Sequence, residues 1–255
     1  MAAELLKSEL LSQAGFRHAF FARGGGVSEG AYESLNFSIT VGDAPERVAR
    51  NFELAAKALG VENDRIRYLS QVHGAGALAV DGSESAEAAR LWEGDAVASR
   101  EPTLACSVRT ADCVPILVAD RASGSACAIH AGWRGVVRGV VEAGVALLRE
   151  LSGARGDLLA AVGPHIRQAA FEVSEEVAAE LEAVSPVPDV VSHDALRPHV
   201  SLARIVRGKL LALGLREEHI DDVGGCTLSE PERFFSFRRD GKVGGRHLSA
   251  IVPRG

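Results

Sequence analysis

Short apolar runs alternate with amphipathic segments along the chain, a pattern that predicts a mixture of strands and helices. Apolar runs bounded by turn residues predict strands at residues 16–22, 66–70, 75–80, 95–99, 103–108, 114–119, 126–129, 158–162 and 246–252. Apolar residues at helical spacing predict helices at residues 45–59, 133–151, 174–183 and 202–213. Because several strands follow one another without helices between them, we expect mixed or antiparallel sheets rather than a regular βαβ alternation.

The predicted fold class is therefore α/β (α+β), with packed mixed β-sheets flanked by helices. Apolar residues make up 47% of the 255 positions, which is enough to bury a substantial core. The chain contains no long polar linker, repeat or low-complexity run. We expect one domain that spans residues 1–255.

Composition narrows the classes of function. The formal net charge is −6 and lysine and arginine form no cluster, which disfavours nucleic-acid binding and membrane-surface binding. Residues 1–15 lack the apolar stretch of a signal peptide, and no run approaches the length of a membrane span. Four cysteines are too few for a disulfide framework in a chain of this length. We expect a cytoplasmic protein that acts on a small molecule, with its oligomeric state left open.

Three side chains able to bind a metal stand at the ends of predicted strands: His73, Cys113 and His130. Strand ends are rigid, and the adjoining loops shape a pocket, so catalytic groups are common there. Two imidazole nitrogens and one thiolate suit a borderline-soft ion such as Zn²⁺, with Cu²⁺ as the alternative. Three protein ligands leave a fourth position open, which is the pattern of a catalytic zinc site.

Spacing alone leaves other interpretations open. The three residues lie too far apart in sequence for a local metal motif, and a histidine or cysteine beside a strand is commonly a packed core residue. A metal-free site would use the same residues, with Cys113 as nucleophile and His130 or His73 as its base. Asp112 would then orient the base, or a metal ligand if a metal is present.

Arginines are the candidates for holding an anionic substrate group. Arg23 precedes a glycine run, and Arg109, Arg134, Arg238 and Arg239 flank the segments described above. Arg134 also begins a predicted helix, whose N-terminal amides would favour an anion. For any single arginine, a solvated surface salt bridge is an equally good interpretation.

Several short motifs occur in order through most of the chain. They include Gln71-Val-His73, Asp95-Ala-Val97, Thr110-Ala-Asp-Cys113, His130-Ala-Gly-Trp-Arg-Gly135 and Gly245-Arg246. The others are Phe21-Ala-Arg-Gly-Gly-Gly-Val-Ser28, Ser34-Leu-Asn36, Val162-Gly-Pro164, Phe171-Glu-Val173 and Phe234-Phe-Ser-Phe-Arg-Arg-Asp240. The ordered set resembles the YfiH or laccase-domain family, whose other names are multicopper polyphenol oxidase, peptidoglycan editing factor and family I purine nucleoside phosphorylase.

The resemblance implies a fold similar to the cysteine-hydrolase domain of cytotoxic necrotizing factor, with zinc bound by His73, Cys113 and His130. It also implies phosphorolysis of adenosine, inosine and S-methyl-5′-thioadenosine, together with deamination of adenosine. Purine nucleoside and phosphate are then the expected ligands. The residues expected to bind substrate are Arg23, Asn36, Gln71, Asp112, Arg134 and Arg238, with Arg23 or Arg134 preferred for phosphate.

The family names and the candidate metal site leave three other possibilities open. A Cys/His amidohydrolase that removes misincorporated serine from a cytoplasmic peptidoglycan precursor is the alternative enzyme, and a metal-binding accessory protein is the non-catalytic one. Copper oxidation of phenols ranks last, because it needs several copper centres with many histidines and this sequence provides one compact set.

Overall fold

The computed structural model describes residues 3–153 and 156–255. The strands of this part are β1 (Leu5–Leu6), β2 (Arg17–Phe21), β3 (Ile66–Arg67), β4 (Ala77–Ala79), β5 (Ala96–Ser99), β6 (Ala105–Thr110), β7 (Val114–Asp120), β8 (Ala126–Ala131), β9 (Leu158–Val162), β10 (Val191–Ser192), β11 (His199–Val200), β12 (Ile220–Asp222) and β13 (His247–Val252). The α-helices are α1 (Glu9–Gln13), α2 (Pro45–Leu59), α3 (Ala86–Ala89), α4 (Trp133–Arg138), α5 (Val140–Ser152), α6 (Glu175–Ala183), α7 (Leu202–Ala212) and α8 (Phe237–Asp240).

Two large sheets form the centre of the molecule. One has the strand order β1-β2-β13-β6-β3 and the other the order β12-β9-β7-β8-β5-β4. Most neighbours are antiparallel, whereas β3 with β6, β4 with β5 and β12 with β9 are parallel. The predicted fold class of packed mixed sheets flanked by helices is confirmed.

Each sheet is covered on both faces. Apolar side chains of β2, β6 and β13 meet those of β5, β7, β8 and β9 in a core between the sheets. The outer face of the six-stranded sheet packs against α4 to α7. The outer face of the five-stranded sheet packs against α2. Because both faces are buried, β7 and β8 are continuous apolar runs, in contrast to the alternating pattern of a strand with one wet face.

The strand order brings the candidate residues to one end of the six-stranded sheet. Cys113 lies in the turn where the chain crosses from β6 in one sheet to β7 in the other. His130 lies in β8 and pairs with Pro115 of β7, so it is beside that turn. His73 lies in the loop between β3 and β4.

The predicted single helix over residues 133–151 is wrong. The structure contains two helices, because Gly139 adopts φ +88°, a left-handed conformation that ends α4 and starts α5 in a new direction. The predicted strand 66–70 is also too long, since only Ile66–Arg67 pairs as a strand and Ser70 forms an isolated bridge to Glu93. That residues 1–255 form one domain stays a prediction.

No helix within residues 3–153 and 156–255 has both the length and the apolar character needed to cross a membrane.

Packing between the sheets can be tested at Leu117 of β7, which is fully buried in the inter-sheet core. We expect Leu117→Ala to lower the free energy of unfolding by about 2–5 kcal/mol, because it removes buried methyl groups and leaves a cavity. Leu196→Ala is the matched control, since Leu196 is 98% exposed, and it should change the value by less than about 0.5 kcal/mol. Urea denaturation measures both, and equal effects would contradict the layered packing.

Candidate functional site

His73, Cys113 and His130 converge at one point. Their ligand atoms all lie within 4.8 Å of one another, and the distance from Cys113 Sγ to His73 Nε2 is 3.9 Å. The two imidazole rings are nearly perpendicular, with centroids 4.8 Å apart. The structure therefore assembles the three side chains as the sequence analysis expected, although their role as metal ligands stays a proposal.

A buried carboxylate, Asp95, fixes the orientation of this group. Its Oδ1 accepts a hydrogen bond from Nδ1 of His130 at 2.7 Å, so Nε2 is the ring nitrogen that does not bond to the carboxylate. Asp95 reaches this position because it directly precedes β5, and the antiparallel pairing of β5 with β8 places it beside His130. Asp95 was quoted in a sequence motif but was given no role. An acidic residue at the start of an apolar strand was the signal that could have identified it.

The same carboxylate also holds the loop that carries His73. Oδ1 accepts from the backbone N–H of His73 at 3.0 Å, and Oδ2 accepts from that of Gly74 at 2.7 Å. His73 has φ +56°, a conformation that costs a non-glycine residue about 1–2 kcal/mol. The hydrogen bonds from Asp95 stabilise this conformation and so fix the position of the imidazole.

Cys113 and His130 shift each other's pKa, because the charged form of each stabilises the charged form of the other. Burial opposes ionisation of the Cys113 thiol, but the charge of His130 and the hydrogen bonds from both histidines lower its pKa to about 6. Burial likewise opposes protonation of His130, and the Cys113 sulfur and Asp95 raise its pKa to about 9. Near neutral pH the sulfur is thus a thiolate, which is the form that binds metals and attacks electrophiles.

The residues present fit a metal ion. Two ligands of one tetrahedral zinc, at bond lengths of about 2.3 Å to sulfur and 2.0 Å to nitrogen, lie about 3.5 Å apart. The observed 3.9 Å between Cys113 Sγ and His73 Nε2 is close to this value. Gly132 leaves the approach free, because a Cβ there would lie 2.8 Å from His73 Cδ2 and 3.1 Å from Cys113 Sγ. The three side chains would hold the ion beside the cavity that they line.

A cavity of about 850 Å³ opens beside the three residues, and all three line it. Two carboxylates lie on its wall, Asp112 and Glu172. Its aromatic lining residues are Trp133, Phe171 and Phe237. Its arginines are Arg109, Arg134, Arg197, Arg238 and Arg246. The volume lies within the usual range for a small-molecule site, and the excess of arginines favours an anionic ligand.

Four of the six residues expected to bind substrate line this cavity, namely Gln71, Asp112, Arg134 and Arg238. Arg23 and Asn36 do not. Arg23 donates to the carbonyl oxygens of Glu33 and Pro231 and lies over the Phe235 ring, so it ties loops together away from the cavity. Arg23 does not line the cavity, and which residues bind phosphate stays a prediction.

Asn36 is fully buried, and its side chain is hydrogen-bonded to the backbone of other residues. Its Oδ1 accepts from the N–H groups of Ser38 and Arg246, both at 2.9 Å. Gln71 has a similar arrangement, because its amide both donates to and accepts from the backbone of Arg109 at 2.8 Å. Both side chains hold the wall of the cavity in place rather than presenting free groups to it.

Asp112 was expected to orient the base or a metal ligand, and the structure assigns that position to Asp95. Asp112 adopts φ +92°, and its carboxylate accepts from Thr227 Oγ1, Ser236 Oγ and the backbone N–H of Arg238. It therefore fastens the segment that carries Arg238 over the cavity, because all three of its partners belong to that C-terminal part of the chain.

Arg134 was expected to bind an anion together with the N-terminal amides of the helix that it begins. The helix α4 that it begins has only six residues, which is too short for a strong helix dipole. The Arg134 guanidinium is exposed and lies over the Trp133 ring at 4.4 Å. Its contribution to the cavity is a charge at the mouth.

Comparison with known proteins places this geometry in context. The family model described as multi-copper polyphenol oxidoreductase laccase matches residues 17–254. A purine nucleoside phosphorylase of Streptomyces coelicolor is 40% identical over 230 residues, which cover 90% of this chain and 93% of the relative. The crystal structure of YlmD from Geobacillus stearothermophilus is similar with a TM-score of 0.91 and 30% identity, covering 100% of this chain and 98% of that one. The hypothetical protein YfiH of Bacillus licheniformis gives 0.90 and 25%, covering 99% and 97%.

The role of Asp95 can be tested with Asp95→Asn. The amide would place an NH₂ group among backbone N–H donors and would no longer fix the His130 ring, so we expect zinc affinity to fall about 10–100-fold. Competition with a chelator of known affinity measures the effect. Asp194→Asn, at an exposed loop position, is the control and should keep the wild-type affinity. Unchanged zinc affinity in Asp95→Asn would show that Asp95 does not support the ligands.

Proposed function

The chain belongs to the family described as multi-copper polyphenol oxidoreductase laccase, and on that premise we propose that it is a zinc-dependent purine nucleoside phosphorylase that also deaminates adenosine. Relatives that it matches over about nine-tenths of its length are named purine nucleoside phosphorylases. The observation that carries the proposal is the joining of a His/Cys/His group and an arginine-rich wall in one cavity. The proposed substrates are adenosine, inosine and S-methyl-5′-thioadenosine.

The cavity offers a surface for each part of these substrates. Phe171 and Trp133 line it with aromatic rings, which suit a purine, and arginines supply donors for phosphate. Apolar side chains on the same wall, Val173, Val177 and Leu202, suit the 5′-methylthio group of S-methyl-5′-thioadenosine. A nucleoside and a phosphate together are of the size that about 850 Å³ accommodates.

In phosphorolysis a phosphate oxygen forms a bond to C1′ of the ribose while the bond from C1′ to N9 of the purine breaks. The electron pair of that bond goes to the purine, which takes up a proton and leaves as the free base. The residues of the cavity would hold the two reactants in line for this exchange, and positioning of this kind contributes much of the rate.

In deamination water adds to C6 of adenosine and ammonia leaves, which gives inosine. A zinc ion held by His73, Cys113 and His130 would supply a Lewis acid for this chemistry. Oxidation of phenols is disfavoured, because among residues 3–153 and 156–255 a single group of three metal-competent side chains is found, whereas a multicopper oxidase needs several centres.

A second candidate function rests on the Cys113 thiolate. The pKa of the Cys113 thiol is lowered to about 6, and a histidine lies beside it. A cysteine amidohydrolase uses such a thiolate as nucleophile and such a histidine as base. Such an enzyme would attack an amide carbonyl of a peptidoglycan precursor through sulfur, release the serine-bearing amine and then hydrolyse the thioester with water. This candidate needs no phosphate, which separates it from phosphorolysis.

The proposed function predicts that the zinc-loaded protein releases adenine from adenosine only when phosphate is present, and releases inosine without it. Cys113→Ser should lower kcat/KM of both reactions by more than about 100-fold, because it removes a zinc ligand from the site. Chromatographic separation of adenosine, adenine and inosine measures the products.

Cys226→Ser is the control for that variant. The Cys226 sulfur contacts Ser229 Oγ at 3.2 Å and does not line the cavity, so this variant should keep wild-type rates. Absence of purine turnover by the zinc-loaded wild type, with serine released from a wall precursor, would replace the first candidate by the second.

A further inference from the structure

Two arginines of the cavity wall have their backbones fixed by buried or half-buried amide side chains. Gln71 both donates to and accepts from the backbone of Arg109, with distances of 2.8 Å. Asn36 accepts from the backbone N–H of Arg246 at 2.9 Å. The point at which each arginine side chain leaves the backbone is thus set before any ligand arrives, which lowers the entropy lost when a ligand binds.

Arg109 is a cation that lacks an anionic partner. Its guanidinium lies over the Tyr68 ring at 4.2 Å, and its Nε–H is buried without a hydrogen-bond acceptor. Burial, together with the positive charges of Arg90 and Arg246, lowers its pKa. In the described part of the chain no carboxylate forms an ion pair with Arg109. Because Arg109 also lines the cavity, an anion bound there would offset its charge.

Arg246 is a second, partly buried arginine of the same cavity wall. One guanidinium nitrogen donates to the carbonyl oxygens of Gly244 and Gly245, both at 2.8 Å, which orients the group. Burial lowers its pKa, whereas the charges of Asp112 and Cys113 raise it, so the guanidinium lies within electrostatic reach of the Cys113 sulfur. Arg109 and Arg246 therefore place two positive charges on the wall beside the His/Cys/His group.

The other arginines of the cavity are already engaged or lie at its mouth. Arg197 pairs with the Glu172 carboxylate. Arg238 donates to the Glu172 carbonyl oxygen at 2.9 Å. Arg134 is exposed on the Trp133 ring. None of these three has a buried donor that lacks an acceptor, as Arg109 has.

We propose that Arg109 and Arg246 form the subsite for a tetrahedral oxyanion, which is inorganic phosphate in the proposed phosphorylase. The inference rests on the proposed function for the identity of the anion, and on the geometry for its place. Oxygens of the anion would accept from the guanidinium groups of Arg109 and Arg246, both of which line the cavity, and its charge would offset the repulsion between the two arginines. This subsite replaces Arg23 and Arg134 as the place for phosphate.

The test is binding of inorganic phosphate to the zinc-loaded protein without nucleoside, followed by titration calorimetry. We expect Arg109→Met and Arg246→Met each to raise Kd about 10–100-fold, because each removes charge-assisted hydrogen bonds. Arg47→Met is the control, since Arg47 does not line the cavity and pairs with Glu29, and it should change Kd less than about 3-fold. Arg134→Met tests the rival placement and should also have little effect.

Thermal unfolding without phosphate checks that each variant folds. If Arg109→Met does not fold, the Kd for phosphate is measured instead in the two single variants Arg109→Lys and Arg246→Met. Absence of phosphate binding by the wild type, wild-type affinity in the Arg109 and Arg246 variants, or loss only in Arg134→Met would each overturn the subsite. Phosphate binding that depends on Arg109 and Arg246 in a protein without phosphorolysis would leave the subsite standing and refute the proposed function.

Discussion

The buried carboxylate of Asp95 is the interaction on which the site depends. It bonds the imidazole of His130 on one side and the backbone amides of the His73 loop on the other, so one side chain sets two of the three candidate ligands. Its own position follows from the pairing of β5 with β8, at one end of the six-stranded sheet. The third candidate, Cys113, is placed by the crossover between the two sheets. The arrangement of the group is thus a consequence of sheet topology.

Much of the site could be predicted from the sequence, because reactive side chains at strand ends leave a visible pattern. His73, Cys113 and His130 were identified in this way and do converge. The roles of other polar residues could not be predicted, since they depend on which segments meet in space. Asn36, Gln71 and Asp112 look like groups for substrate, but each bonds to the backbone of an arginine from a distant part of the chain.

The fold shows the same division between local and long-range information. Helix α2 was predicted with its observed bounds, because its apolar spacing and the glycine after it are local signals. The division of 133–151 into two helices depends on the conformation of Gly139, and the sequence shows the glycine but not its φ. Assignment of strands to two stacked sheets was also out of reach, because a run buried on both faces has the same pattern in either sheet.

Anomalous diffraction at the zinc edge from crystals of the zinc-loaded protein tests the central claim most directly. The account predicts one strong peak within about 2.0–2.3 Å of His73 Nε2, Cys113 Sγ and His130 Nε2, with Asp95 still bonded to His130 Nδ1. Zinc held by other residues, or a map with no peak among these three atoms, would contradict it.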